Sequence, residues 1–352
     1  MQWKNKKFVL EQVKQNGLHL SQAHDKLKSN KEIVLEAIFQ NGLALQYADD
    51  SLRKDKKIVT DAVIRSKGMA LKYADESLKK DKEIVMEAIM NDAEMALEYA
   101  DDSLKKDKEV VLEAIKCDES SLDFADNSLK KDFDFVLEVV ELNGLALNFA
   151  DDSLKKNKEI VLEAVRQDGL ALNFADDSLK KNKEIVLEAV RQNGLVLMDD
   201  DSFKSDKDVV LEAVRQNGLA LWYADSCLRS DKKIAMKAFK QNPESFSGVH
   251  DSLKKDKNFM FEILRRDTLM FKLADISLKT DKNFVLQVIE LLSEGYVILD
   301  FVDESLTKDK DFMINAVKHN YLSMQYSHSD LKKDKDFILR AREYYTDSDE
   351  WI

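Results

Sequence analysis

Residues 154–175 read Leu154-Lys-Lys-Asn-Lys-Glu-Ile-Val-Leu-Glu-Ala-Val-Arg-Gln-Asp-Gly-Leu-Ala-Leu-Asn-Phe-Ala175. Asn157 is a good helix N-cap, Lys158 to Gln167 holds no breaker, and Gly169 follows as a stop. The stretch predicts a helix of roughly eleven residues, about 16 Å long. Ile160, Val161, Ala164 and Val165 cover an arc of about 140°, which Leu162 widens to about 200°. A stripe that wide faces more than one neighbour, while Glu159, Glu163 and Arg166 share the wet side. Beyond Gly169, Leu170 and Phe174 are four apart and Leu172 and Ala175 three apart, which suits a short helix of six or seven residues. A polar turn over 176–181, pinned by Leu179, closes the unit. Asp176 and Asp177 are expected at the end of the short helix, where the dipole disfavours acids and stops it.

Working outward, this unit recurs along the chain. Its anchor falls at Leu27, Leu52, Leu78, Leu104, Leu129, Leu154, Leu179, Phe203, Leu228, Leu253, Leu278, Leu306 and Leu331, in steps of 24 to 28 residues. The N-cap phase is Asp or Asn at Asn5, Asn30, Asp55, Asp81, Asp107, Asp132, Asn157, Asn182, Asp206, Asp231, Asp256, Asp281, Asp309 and Asp334. Nothing alternates with period two, so strands are not expected. A fixed period of this size means stacked units, none of which buries its apolar face alone. The fold class expected is all-α: an α-solenoid superhelix of about thirteen ~25-residue helix-turn-helix repeats, each a long helix plus a short one. One elongated domain is expected over 1–352, with repeats over 5–333, a C-terminal capping helix over 334–345 and an acidic tail over 346–352.

Some units depart from the pattern. The last long helix carries Arg340 for the usual Glu and Arg342 for the stacking Val, as a terminal cap requires. The first, with Phe8, Val9 and Leu10, shows no polar change, so apolar surface shielded in part by Trp3 is expected there, with end-to-end association as a consequence. The 28-residue step is expected to lengthen the helix at Phe284–Leu292 by about one turn. The 24-residue step loses a residue near Leu197-Met198-Asp199, and Pro243 stands where Gly is expected.

Of 352 residues, 44% are hydrophobic and 35% charged, too apolar for disorder, and the net charge of −12 disfavours a broad duplex-DNA face. Cys117 and Cys227 lie about four repeats apart, roughly 40 Å at 9–10 Å per helix layer, beyond a disulfide's reach. The opening Met1-Gln-Trp-Lys-Asn-Lys-Lys-Phe8 has no apolar signal core, and no run is long enough to span a membrane. An intracellular, cytoplasmic location is expected, with signal-less secretion as the other route.

The wording of residues 154–175 resembles a repeat family catalogued as domain of unknown function 4116, whose units are short helical pairs. The resemblance runs from about Asn5 to about Tyr345 and weakens around 195–250 and 285–303. It implies the helical-repeat fold and carries no catalytic or binding residues.

Candidate sites fall in three series. The long helices carry a charged ridge of i, i+3 pairs: Glu11/Lys14, Glu113/Lys116, Glu163/Arg166, Glu188/Arg191, Glu212/Arg215 and Glu262/Arg265. These are solvated intrahelical pairs or a mixed-charge ladder for a partner protein. A lysine rim holds Lys79/Lys80, Lys105/Lys106, Lys130/Lys131, Lys155/Lys156, Lys180/Lys181 and Lys254/Lys255, each preceded by acids; it is a solvated rim or a track for a phosphate backbone. An aromatic column at Tyr47, Tyr73, Tyr99, Phe124, Phe149, Phe174, Tyr223 and Tyr326 is core packing or a stacking platform. The position just before it varies: Gln46, Lys72, Glu98, Asp123, Asn148, Asn173, Trp222 and Lys272. Variation at one phase of a constant frame is neutral drift or a recognition code.

Catalysis finds little support. His19, His24, His250, His319 and His328 match no metal-ligand spacing, and no phosphate loop or nucleophile motif occurs. Asp199-Asp200-Asp201 and Asp347/Asp349 match no calcium loop. The expectation is a non-enzyme without metal or cofactor, a scaffold binding a macromolecule along an extended surface. The partner expected is a protein of basic or mixed charge; a modular nucleic-acid reader using the lysine rim and the variable position is the alternative. No membrane partner is expected, and the chain is expected to be a monomer.

Overall fold

The computed structural model describes residues 2–198 and 201–344. The described residues are helical with no strand, and their contacts divide the chain into two units, Met1–Gln192 and Asn193–Ile352. The sequence repeat runs through both, where a single elongated domain was the expectation. The division falls where the repeat shortens, and there the three-residue 3-10 turn Asp201–Phe203 replaces the usual one-turn α-helix. No helix of the described residues is long and apolar enough to cross a membrane.

Each unit is an all-α repeat solenoid built in layers. In the first unit the long helices are Lys6–Gln15, Lys31–Gln40, Lys56–Arg65, Lys82–Ile89, Lys108–Cys117, Phe133–Leu142, Lys158–Gln167 and Lys183–Gln192. In the second they are Lys207–Gln216, Lys232–Gln241, Lys257–Leu264, Lys282–Leu291, Lys310–His319 and Lys335–Arg342. Within a unit most long helices pack on the next, and most short helices stack in a second layer in the same order. All fourteen expected N-caps form. The Asn5 carboxamide accepts from the Phe8 N–H, Asp55 from Lys57 and Ile58, and Asn157 from Glu159 and Ile160. Each satisfies donors that the helix itself leaves open. Ile160, Val161, Ala164 and Val165 are fully buried, so the wide stripe does face several neighbours.

The short helix is a 3-10 helix rather than an α-helix, as in Gly42–Tyr47 and Gly169–Phe174. With three residues per turn it buries Ala171, Leu172 and Ala175 and leaves Leu170 40% exposed, so the expected Leu170–Phe174 pair does not form the inner face. Where a longer repeat places its extra residue decides the helix type. A 3-10 helix rises about 2.0 Å per residue, so six residues span about 12 Å; seven α-helical residues span about 10.5 Å. In the repeat from Leu78 to Leu104, one residue longer than the usual 25, the seven residues Ala93–Tyr99 are α-helical. In the repeat from Leu52 to Leu78 the extra residue is absorbed at Lys67 (φ 54°) and Gly68 (φ 84°).

Glycine opens the 3-10 helix for a reason other than helix termination. Asn41 caps the turn in an extended conformation, and Gly42 needs no left-handed backbone. A Cβ at Gly42 would stand 2.4 Å from the carbonyl oxygen of Ala62 in the next long helix, and at Gly17 2.1 Å from that of Ala37. The glycine is where one repeat touches the backbone of the next. Pro243 holds the same phase as the first residue of Pro243–Gly248, where the helix itself leaves the N–H unused, and there, unlike at Gly42, a Cβ is accommodated.

Two further expectations are corrected. The long helix in the 28-residue step is Lys282–Leu291, ten residues as in most other repeats. The extra residues lie in the junctions at 292–294 and 301–302 instead. The paired aspartates do not end the short helix. The first of each pair opens a third element, a one-turn α-helix such as Asp50–Arg53 or Asp177–Lys180. There the dipole favours the acid.

Candidate functional site

The one-turn helices line up along one edge of each unit. Asp49, Asp75, Asp101, Asp126, Asp151 and Asp176 each accept from the backbone N–H and the hydroxyl of the serine two residues on. The backbone N–H of the same aspartate donates to a carbonyl of the preceding one-turn helix, or at 152–156 of the turn in its place: Asp49 to Lys28, Asp75 to Arg53, Asp101 to Lys79, Asp126 to Lys105, Asp151 to Lys130 and Asp176 to Lys155, at 3.0–3.1 Å. One main-chain bond per repeat thus ties neighbours together, and the second unit repeats it from Asp225–Lys204 to His328–Thr307. His24, His250 and His328 take the aspartate's place, each accepting a backbone N–H at Nδ1, which gives three of the five histidines a capping role.

The lysine rim lies on this edge and is tied into it. The first lysine of each pair reaches an acid in its own repeat: Lys79–Glu76, Lys105–Asp102, Lys130–Asp123, Lys155–Asp152, Lys180–Asp177 and Lys254–Asp251. The second bridges to the next capping aspartate, as Lys80–Asp101, Lys106–Asp126, Lys131–Asp151, Lys156–Asp176 and Lys255–Asp275, at 3.7–3.9 Å. At the start of the long helices, Lys31 reaches Asp55, Lys56 reaches Asp81 and Glu83, and Lys207 reaches Asp231, all at 2.7–2.9 Å. Hydrogen bonds from these ammonium groups hold the Asp55, Asp81 and Asp231 carboxyls below the ordinary carboxylate range, against a smaller upward push from burial. At Asp49, Asp75 and Asp101 the serine hydroxyl is the largest downward influence and the serine N–H the next.

The variable position sits beside this edge on the short helices. In the first unit Lys72, Asp123, Asn148 and Asn173 are exposed, while Gln46 and Glu98 are half-buried. In the second unit Trp222 and Lys272 are exposed. At Lys72 and Trp222 the side chain leans onto the aromatic phase of the following repeat. The Lys72 ammonium stands 5.2 Å from the Tyr99 ring centre, and the Trp222 ring lies 3.1 Å from where a Cβ would stand on Gly248. Its carbonyl accepts from the rim: Lys130 to Asp123, Lys279 to Lys272 and Lys332 to Gln325. The aromatic column itself is half-buried throughout.

The charged ridge is a separate surface on the long helices. Glu113–Lys116, Glu163–Arg166 and Glu188–Arg191 pair at 2.9–3.2 Å in the first unit, and Glu212–Arg215 at 3.9 Å in the second. Three early repeats interrupt it. Phe39, Ile64 and Met90 occupy the phase of Arg166 and are 58%, 45% and 67% exposed. The Arg65 guanidinium lies 4.2 Å over the Phe39 ring. Reasoning from the sequence passed over this row; the signal was there, since Glu36, Asp61 and Glu87 have no basic residue three positions on. No group of three or more metal-ligating side chains occurs among the described residues, and Asp199, Asp200, Asp347 and Asp349 lie outside them. Cys117 and Cys227 are exposed and free.

The profile of one repeat family, described as "Domain of unknown function (DUF4116)", matches residues 5–53, 30–66, 55–105, 107–155, 157–199, 200–229, 231–279, 281–331 and 309–341. The chain belongs to this family. Its matches tile both units, including 200–229. A comparison with curated proteins finds no match.

Proposed function

We propose that this protein is a non-catalytic scaffold that binds another protein through side chains displayed on its long helices. The observation that carries this reading is the pairing of the ridge with the exposed row Phe39, Ile64 and Met90. An apolar row on successive helices supplies desolvation energy that a purely charged ridge lacks. Rigid stacking holds such groups in place before binding and lowers the ordering cost. The nucleic-acid alternative draws less support, because the rim lysines are engaged by carboxylates of the same edge; a phosphate would have to displace Asp101 from Lys80 or Asp126 from Lys106. The protein acts as a monomer in this reading. Trp3 lies edge-on to Phe8 at 5.3 Å, and Val9 and Val13 are fully buried, which leaves little apolar surface for end-to-end contact. An intracellular site of action is part of the proposal.

The test compares the full chain with Phe39→Glu/Ile64→Glu/Met90→Glu and with Arg166→Glu/Arg191→Glu, each immobilised and exposed to extract of the native cell. Proteins that the wild type retains and at least one variant loses are the expected result. Identical profiles for all three chains, or oligonucleotide retention that falls steeply with salt, would overturn the proposal.

A further inference from the structure

Lys232–Gln241, with the sequence Lys-Lys-Ile-Ala-Met-Lys-Ala-Phe-Lys-Gln, is the only long helix among the described residues without an acid. Lys237 replaces the mid-helix acid found at Glu163, Glu188, Glu212 and Glu262. Between this helix and Lys257–Leu264 lies an open depression of about 450 Å³, lined among others by Lys233, Met236, Lys237, Lys240, Phe259 and Glu262. Lys232, at its edge, is held by Asp256 at 2.6 Å. Among the described residues Lys233, Lys237 and Lys240 have no ion-pair partner; they recur at i, i+4 and i+7, along one side of the helix. Three uncommitted ammonium groups therefore edge a hollow that presents the Met236 thioether, with the buried Phe259 ring beneath, on a chain whose net charge is −12.

We infer that this depression binds an acidic peptide segment with an apolar side chain between its carboxylates. The inference rests on the reading of the protein as a protein-binding scaffold and names the chemistry of one partner segment. Lys233 to Lys240 covers about 10 Å along the helix, the span of three or four extended residues. Carboxylates meet the ammonium groups, and an aliphatic side chain enters beside Met236. A polyphosphate fits less well. The basic surface is one helix long, with Asp208 and Glu212 on the helix before it and Glu262 on the helix after, and the hollow offers an apolar surface that phosphates do not use.

The test measures fluorescence anisotropy of a labelled Asp-Leu-Glu-Glu-Leu-Asp peptide on the full chain at low salt. Its controls are a Lys-Leu-Arg-Arg-Leu-Lys peptide and an oligothymidine. Lys233→Glu/Lys237→Glu is expected to weaken the acidic peptide about tenfold or more, and Lys233→Gln/Lys237→Gln to weaken it less. Met236→Ala should weaken it at unchanged salt dependence, a readout that charge alone would not move. All substitutions except Met236 lie on exposed side chains, and circular dichroism checks that helicity is kept. Equal affinity for wild type and the charge-reversed chain, no binding at about 1 mM peptide, or tighter binding of oligothymidine that the reversal abolishes, each overturns the inference. Either of the first two leaves the scaffold reading standing, because that reading is tested on Phe39, Ile64, Met90 and the ridge; oligothymidine binding that falls steeply with salt counts against both.

Discussion

Three buried serines give the sharpest test of how the repeats pack. Ser121, Ser245 and Ser323 occupy the phase that Ala44, Ala70, Ala96, Ala146, Ala171 and Ala220 hold elsewhere. Serines and alanines alike are fully buried, and each of the three hydroxyls finds no hydrogen-bond partner. A buried, unpaired hydroxyl costs about 1–3 kcal/mol, and the alanine environments of the other repeats show that the site closes around a methyl group. Ser245→Ala should therefore stabilise the chain by about 1 kcal/mol or more, and Ser323→Ala by a similar amount. The two lie in separate repeats of the second unit, so their effects should add. Over a unit of this size each kcal/mol moves the midpoint by about 2–4 °C. The double variant is expected to melt at least about 4 °C higher in differential scanning calorimetry, with its urea m-value unchanged. The reverse change, Ala171→Ser in the first unit, should cost a like amount. Neutral or destabilising serine-to-alanine changes would mean that the hydroxyls are satisfied, and would refute this account of the short-helix layer.

Other outcomes follow from the same geometry. Gly42→Ala places a Cβ 2.4 Å from the Ala62 carbonyl oxygen and should destabilise by about 2 kcal/mol or more in urea unfolding, whereas Leu43→Ala, beside it and only half-buried, should cost less. Asp55→Ala removes a cap from two N–H groups and the partner of Lys31, and should lower stability by about 1 kcal/mol. The capping aspartates have folded-state affinities for protons below their ordinary value. Their stabilisation is thus present above about pH 4 and is lost as pH falls through the lower folded values. Melting temperature should stay flat from pH 7 to about 5 and drop steeply below about pH 4; a fall that begins near pH 6 would point to other groups.

The long helices were legible because their signal is local and repeated. An Asp or Asn cap, an apolar stripe at Ile160, Val161, Ala164 and Val165, and an anchor such as Leu154 are all decided within one repeat. The tandem copies then require stacking, since one unit cannot cover a stripe that wide. The ridge pairs were legible for the same reason, being three residues apart on one helix. The short helix was misread because α and 3-10 helices share similar residues. What separates them is where a longer repeat places its extra residue, as the α-helix at Ala93–Tyr99 against the 3-10 helix kept at Met69–Tyr73 shows.

By itself, then, the order of residues determined an all-α stack, its period, its caps and its buried stripe, because those depend on contacts within one turn of chain or on the repetition itself. Tertiary structure alone decided what each glycine and aspartate is for. Gly42 is small because Ala62 of the next helix comes to it, and Asp101 both opens a helix of its own and receives Lys80 from the repeat before. Such roles arise between repeats, where residues 20 or more positions apart meet, and no spacing within a repeat encodes that distance.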